Sequence, residues 1–124
     1  MLVISETEER TTRNPAGLAA GLAGPSQGSE QVSTWRVVME TGTDAPVHLI
    51  DRDQIWMPIA GTFEFVVGDE TSLVKTGQAI VVPADVTRTF RAIDGQAQAL
   101  VAMAPGGTAA LPGNDARLPL PWAE

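Results

Sequence analysis

His48 is the only histidine of the chain, and its imidazole is the side chain whose ordinary pKa lies nearest neutrality. There are no cysteines, so thiolate nucleophiles, thiolate metal ligands and disulfides are excluded. We therefore predict that His48 is a general acid or base; a structural hydrogen-bonding role is the alternative. Arg88 could bind a carboxylate, an enolate or a polarised carbonyl oxygen and stabilise developing negative charge. An ion pair of Arg88 with Asp85 or Asp51 is the structural alternative.

Four further side chains are predicted to lie near this pair. In a strand every second residue shares a face, and this parity sorts the side chains around His48 and Arg88. The resulting set is mostly apolar with a few polar groups, which is typical of a small-molecule pocket. Its aromatic members offer flat faces for a hydrophobic ligand, or they belong to the ordinary core. The predicted pocket comprises His48, Ile50, Gln54, Trp56, Arg88 and Phe90.

Short strands must position these residues. From Ser33 onward the apolar residues alternate with a period of two, and turn signals separate the runs. Asp94-Gly95 predicts a hairpin turn. Pro58 predicts an edge strand, or a position whose missing N–H faces no partner. Eight strands without a long helix indicate an antiparallel sandwich or barrel. The predicted strands read STWRVVME, APVHLID, QIWMPIAG, TFEFVVGD, TSLVK, QAIVVP, RTFRAI and QALVAMA.

The chain is predicted to be one domain over residues 1–124, with a core at 33–104. Residues 1–32 are rich in glycine and small residues, so we expect an irregular extension with at most one helical turn. Residues 105–124 form a tail too rich in proline and glycine for regular structure. In that tail Leu120 and Trp122 are predicted to pack back onto the body or onto a partner subunit; a frayed end is the alternative.

Charge and hydropathy exclude several classes of function. The formal net charge is −7 and no basic cluster exists, which argues against a nucleic-acid partner. The N-terminus lacks the basic region and apolar run of a signal peptide. No run of residues is apolar and long enough to span a bilayer. We therefore expect a cytoplasmic protein without nucleic-acid or membrane partners.

The stretch from Gly42 to Gly61 resembles the first motif of the cupin superfamily of small jelly-roll barrels. That motif is a glycine, five residues, His-x-His, three or four residues, a glutamate, six residues and a glycine. Gly42, His48 and Gly61 match it. Ile50 stands at the second histidine and Gln54 at the glutamate.

The stretch from Gly77 to Ala92 resembles the second cupin motif. That motif is a glycine, five residues, Pro-x-Gly, two residues, a histidine, three residues and an asparagine. Gly77 and Pro83 match it, whereas Asp85 replaces the glycine, Arg88 the histidine and Ala92 the asparagine. The resemblance covers roughly residues 33–104, and it implies an antiparallel jelly-roll barrel.

The replaced ligands change the function that the resemblance implies. Ile50 offers no lone pair, Gln54 only a neutral oxygen, and Arg88 a permanent cation, so we expect no metal and no cofactor. The favoured hypothesis is a metal-independent isomerase, cyclase or dehydratase acting by proton transfer on a hydrophobic, carbonyl-containing, polyketide-like metabolite. Similar metal-poor cupins occur in bacterial secondary metabolism. A non-catalytic binding or sensing module is the alternative, and a metal-dependent oxygenase is a third.

The resemblance also implies a homodimer, because small jelly-roll cupins pair through their sheets. The N-terminal extension and the tail that carries Trp122 are the candidates for clasping a second copy.

Overall fold

The computed structural model describes residues 1–124. It contains ten strands and three one-turn 3₁₀ helices, and no α-helix. No helix has the length and apolar character needed to cross a membrane. The helices span Glu8–Arg10, Pro25–Gln27 and Pro121–Ala123. The strands are β1 Thr11–Asn14, β2 Gly17–Gly21, β3 Ser33–Met39, β4 Leu49–Ile50, β5 Gln54–Val67, β6 Glu70–Lys75, β7 Ile80–Val82, β8 Arg88–Met103, β9 Thr108–Ala110 and β10 Leu118–Pro119.

All strand pairs between these elements are antiparallel. The larger sheet has the order β1-β2-β3-β8-β5-β6, with β7 pairing along the first residues of β5. The smaller sheet has the order β10-β9-β4. The all-β, antiparallel class predicted from the alternating pattern is therefore confirmed.

Two pairs of predicted strands are single long strands. QIWMPIAG and TFEFVVGD together form β5, and RTFRAI and QALVAMA together form β8. The hairpin predicted at Asp94-Gly95 is wrong. Both residues have positive φ values, of 58° and 128°, but β8 continues through them as an irregularity opposite β5, where the register shifts around Ala60. The dipeptide Asp94-Gly95, which is typical of a turn, forms a bend within β8 instead.

The position of Pro58 fits one of its two predicted alternatives. β5 is a central strand, so an edge position is wrong. β7 pairs with residues 54–56 of β5 and β6 with residues 62–67, and Pro58 lies between these two ranges. Its only paired neighbour is Ala99 of β8. No strand pairs with Pro58 on the other side of β5, so its missing backbone N–H leaves no hydrogen bond unmade there.

The N-terminal extension is not irregular, and that prediction is wrong. β1 and β2 form a hairpin that extends the larger sheet beside β3. Asn14 makes the turn, because its side-chain oxygen accepts hydrogen bonds from the backbone N–H groups of Ala16 and Gly17, at 2.9 and 3.1 Å. A Cβ at Gly17 would lie 1.8 Å from the carbonyl oxygen of Val38. Glycine thus permits the close approach of this hairpin to β3.

The C-terminal tail packs on the body of its own chain, as one of the predicted alternatives had it, but it contains β9 and β10, so the prediction that it lacks regular structure is wrong. Leu120 is 4% exposed and belongs to the main apolar cluster, and Trp122 packs against that cluster. The buried Ser33 hydroxyl donates a 2.6 Å hydrogen bond to the carbonyl of Ala123. A contact between β3 and the tail therefore closes one end of the core.

The core lies on the inward face of the long strands. On β3, Trp35 is buried, while Arg36 faces outward and forms a two-bond ion pair with Glu6 at 2.7 and 2.8 Å. The strand parity predicted for β5 also holds, because Gln54, Trp56 and Pro58 are buried and the residues between them are exposed. The inward faces of β3, β5 and β8 thus supply most of the apolar cluster.

Candidate active site

His48 and Arg88 are paired through their backbones. The N–H of His48 donates to the carbonyl of Arg88 at 3.0 Å, and the N–H of Arg88 donates to the carbonyl of His48 at 2.9 Å. Two residues that exchange both hydrogen bonds in an antiparallel bridge project their side chains from the same face. The structure therefore brings the two predicted catalytic residues side by side.

The His48 ring is oriented by a backbone carbonyl. Its Nδ1 lies 2.6 Å from the carbonyl oxygen of Pro46, and because a carbonyl only accepts, Nδ1 carries the proton. The lone pair is then on Nε2. Burial lowers the pKa of His48 below its ordinary value of 6.5; the Pro46 hydrogen bond opposes this, and the nearby Arg88 charge adds to the lowering. A neutral imidazole with Nε2 unprotonated is the form of a general base.

The Arg88 guanidinium is 1% exposed and is held mainly by backbone oxygens. Nη2 donates to the carbonyls of Pro83 and Val86 at 2.6 and 3.0 Å, and Nε donates to Val86 at 3.2 Å. Nη1 donates to the side-chain oxygen of Gln54 at 3.4 Å. Burial lowers the pKa of Arg88, and the charges of Asp85 and Asp53 oppose the shift. Arg88 forms no ion pair with any carboxylate, so the predicted structural bridge to Asp85 or Asp51 is absent.

Gln54 connects the polar and aromatic parts of the site. Its side-chain oxygen accepts hydrogen bonds from Arg88 and, at 3.3 Å, from the indole N–H of Trp56. Its amide nitrogen lies 3.6 Å from the sulfur of Met103. Gln54 is 4% exposed. An uncharged side chain therefore stands between the buried cation and the core.

The aromatic residues fill the interior beneath His48. The ring of Trp56 lies 4.5 Å from that of Phe90, 5.2 Å from Phe65 and 5.8 Å from Phe63, measured between centroids. Trp56 and Ile50 are buried, whereas Phe90 and His48 are half-buried, with ring centroids 5.9 Å apart. His48 and Phe90 thus form the outer edge of the group, and the other predicted pocket residues lie below them.

The side chains at the cupin ligand positions do not fit a divalent metal ion. The chain holds no group of three or more His, Cys, Asp or Glu side chains arranged to bind a metal ion. His48 offers one nitrogen, Ile50 offers none, and the oxygen of Gln54 already accepts two hydrogen bonds. The guanidinium of Arg88 would repel a divalent cation at this point.

Two cavities lie away from this group. One, of about 220 Å³, is bordered by residues near Thr108, Leu120 and Glu124. The other, of about 380 Å³, is bordered by the N-terminal residues and by Gly28. Neither includes a residue of the predicted pocket.

The sequence interpretation missed the backbone groups of the site. The carbonyls of Pro46, Pro83 and Val86 orient His48 and Arg88, and a main-chain acceptor leaves no signature in residue types. The carboxylate of Asp51 lies 3.5 Å from Arg52 and accepts hydrogen bonds from the N–H and hydroxyl of Thr108, at 2.6 and 3.0 Å.

The chain is similar to one family model and to several solved structures. The family model described as the Cupin domain matches residues 35–105. No curated protein matches the sequence. KdgF from Halomonas sp. is 18% identical with a TM-score of 0.72, over 85% of this chain and 94% of that one. An RmlC-like cupin from Methanocaldococcus jannaschii, described as a double-stranded β-helix, is 19% identical with a TM-score of 0.67, over 85% and 91%.

A third similar structure is much longer than this chain. A variant of oxalate decarboxylase from Bacillus subtilis is 17% identical with a TM-score of 0.71, over 77% of this chain. The chain spans only 27% of that protein's length. At these identities the solved structures share the fold, and the chemistry has to be argued from the residues of this chain.

Proposed function

This chain belongs to the cupin family, and from that premise we propose that it is a metal-independent enzyme acting by proton transfer beside a carbonyl group. The reaction is an isomerisation, cyclisation or dehydration of a hydrophobic, polyketide-like metabolite. His48 is the base and Arg88 stabilises the negative charge that develops on the carbonyl oxygen. Ile50, Gln54, Trp56 and Phe90 surround the substrate.

One observation carries this proposal. The free Nε2 of a neutral His48 and the guanidinium of Arg88 project from the same face of one backbone bridge. A base and a cation side by side suit a reaction in which a C–H bond breaks while charge moves to an adjacent oxygen.

The proposed step balances without a co-reactant. Nε2 of His48 accepts a proton from the carbon next to the carbonyl, and the electron pair of that C–H bond moves to form an enolate. Arg88 donates a hydrogen bond to the enolate oxygen. The imidazolium then returns the proton to a different atom of the substrate, which gives an isomer, or to a leaving hydroxyl group, which gives water and an unsaturated product.

The lowered pKa of His48 increases the fraction of the imidazole in the unprotonated form that the first half of this cycle requires. Burial and the Arg88 charge keep the imidazole unprotonated at neutral pH. The same environment makes the imidazolium a stronger acid than free histidine, which favours return of the proton.

Hydrogen–deuterium exchange at carbon tests the proposal without the natural substrate. The protein is incubated with phenylacetone, a neutral aromatic ketone, in D₂O, and loss of the α-proton signal is followed by NMR. We expect exchange above the buffer rate, and a loss of about a hundredfold or more in His48→Ala. Val47→Ala is the matched control, because Val47 is adjacent, exposed and outside the site. Equal exchange by the wild type and His48→Ala contradicts the proposal.

A non-catalytic binding module is the second candidate, and the close packing of Trp56 on Phe63 and Phe65 favours it. The filled interior leaves the outer edge formed by His48 and Phe90 as the part of the site that can contact a ligand. In that case a ligand binds, but no exchange occurs in the NMR experiment.

Formation of a homodimer stays a prediction.

A further inference from the structure

Arg88 is exceptional among the arginines of the chain. Five of the seven arginines lie within 4.0 Å of a carboxylate, and Arg88, which is 1% exposed, does not. Arg10 also lacks an ion pair, but it is not among the buried residues. A buried charge without a countercharge is costly, and proteins usually pair such a charge.

The carboxylates nearest to Arg88 are engaged elsewhere. Asp85 is exposed and lies 4.0 Å from Arg117, and Asp53 accepts a hydrogen bond from the N–H of Ala84 at 2.8 Å. The side chain that does contact the guanidinium is Gln54, an amide of the same shape as a glutamate but without its charge. No carboxylate thus contacts Arg88 directly, although the protein carries 15 acidic residues.

The hydrogen-bond inventory of Arg88 is also incomplete. A guanidinium has five N–H donors. The carbonyls of Pro83 and Val86 account for three, and Gln54 accepts a fourth at the long distance of 3.4 Å. The second N–H of Nη1 has no protein acceptor. One free donor and one unpaired positive charge match a group that carries a single negative charge.

We infer that the ligand of this site is an aromatic or otherwise apolar monocarboxylate, and that its carboxylate is the carbonyl-containing group held by Arg88 in the proposed reaction, so that one oxygen accepts the free N–H and supplies the missing countercharge. This inference rests on the proposed function for the identity of the site and adds the chemical class of the substrate. Trp56 and Phe90 would contact the apolar part of the acid. A phosphate carries more charge and needs more donors than the single free N–H offers. Entry is from the half-buried His48–Phe90 edge, and Phe90 must turn aside for the carboxylate to reach Nη1.

Binding of a matched acid and amide tests the inference. The full chain is titrated with 3-phenylpropionate and with 3-phenylpropionamide, which has the same shape but no charge, and binding is measured by calorimetry. We expect the acid to bind about tenfold or more tightly than the amide. Equal affinities, or no measurable binding of either compound, overturn the inference.

A designed countercharge gives the second arm of the test. Gln54→Glu places a carboxylate against Arg88 at nearly unchanged volume, so the preference for the acid should fall to about twofold or less. Gln98→Glu changes the net charge equally, at a position on β8 whose side chain bonds to Arg36 on the outer face, and should keep the preference. A preference that survives Gln54→Glu refutes the role of Arg88.

The result of this test is separable from that of the exchange experiment. If Gln54→Glu does not fold, the acid-to-amide ratio of the wild type alone decides. Binding of the acid requires no proton transfer, so its failure is distinct from a failure of His48 to act as a base.

Discussion

Gly61 lies where β5 bends past β8, and it provides the sharpest test of the fold. Its φ is +70°, in the left-handed region that favours glycine. A Cβ built there would lie 2.5 Å from the carbonyl oxygen of Gln96 and 2.9 Å from Cα of Ala97. Both contacts are with backbone atoms of the paired strand, which cannot rotate away. Gly61→Ala should therefore destabilise the protein through two separate effects.

The expected magnitude follows from adding these effects. The left-handed conformation costs a residue with a Cβ about 1–2 kcal/mol. Overpacking against fixed backbone adds about 1–3 kcal/mol. The free energy of unfolding should fall by about 2–5 kcal/mol, a large part of the roughly 5–15 kcal/mol typical of a folded domain.

Gly42→Ala is the matched control. Gly42 also has a left-handed φ, +89°, but a Cβ there meets no atom within 4 Å. Only the conformational cost of about 1–2 kcal/mol applies. The two variants are compared by urea unfolding, monitored through tryptophan fluorescence, at a common m-value. Equal destabilisation of the two would show that the close approach of β5 and β8 at Gly61 is not as described.

Two further predictions concern pH and the tail. Because the pKa of His48 is lowered from 6.5, the folded state binds fewer protons than the unfolded state as the pH falls. This contribution to the free energy of unfolding is complete above about pH 6.5 and is lost as the pH falls toward the lowered pKa. The free energy of unfolding of the wild type should therefore fall more steeply with decreasing pH than that of His48→Ala. Parallel pH profiles of the two proteins would refute this prediction. Ser33→Ala should cost about 1–3 kcal/mol, because the carbonyl of Ala123 loses a buried donor. Ser72→Ala, at an exposed hydroxyl, should change the free energy of unfolding by less than about 0.5 kcal/mol, and a similar loss in both variants would contradict the role of Ser33.

The parts of the site that depend on strand parity could be predicted from the sequence. Alternation placed Gln54 with Trp56, and the structure buries both on the inward face of β5. The resemblance of Gly42, His48 and Gly61 to the first cupin motif implied the cupin family, and the family match over residues 35–105 confirms it. These features depend on the two-residue period and on backbone conformations that glycine favours, and both are visible in residue types.

Other features could not be predicted, because the same local sequence is compatible with two different structures. Asp94-Gly95 is as compatible with a bend inside β8 as with a hairpin, and only pairing with β5 decides between them. Residues 17–21 read GLAAG, with no alternation of apolar and polar side chains, yet they form β2 because β3 offers a partner for their backbone. The contact of Trp56 with Phe90 likewise depends on the pairing of β5 with β8.

The hydrogen bond between Ser33 and Ala123 joins positions 90 residues apart, and this separation has a consequence for the newly made chain. At typical elongation rates, β3 would wait roughly 5–20 s for residues 120–123 to be synthesised. During this interval Leu120 cannot cover its part of the core. β8, the other long-range partner of β3, is also synthesised well after β3. Until residues 120–123 have been made, the growing chain would expose the apolar surface of β3, and the core around this strand can be completed only after that point.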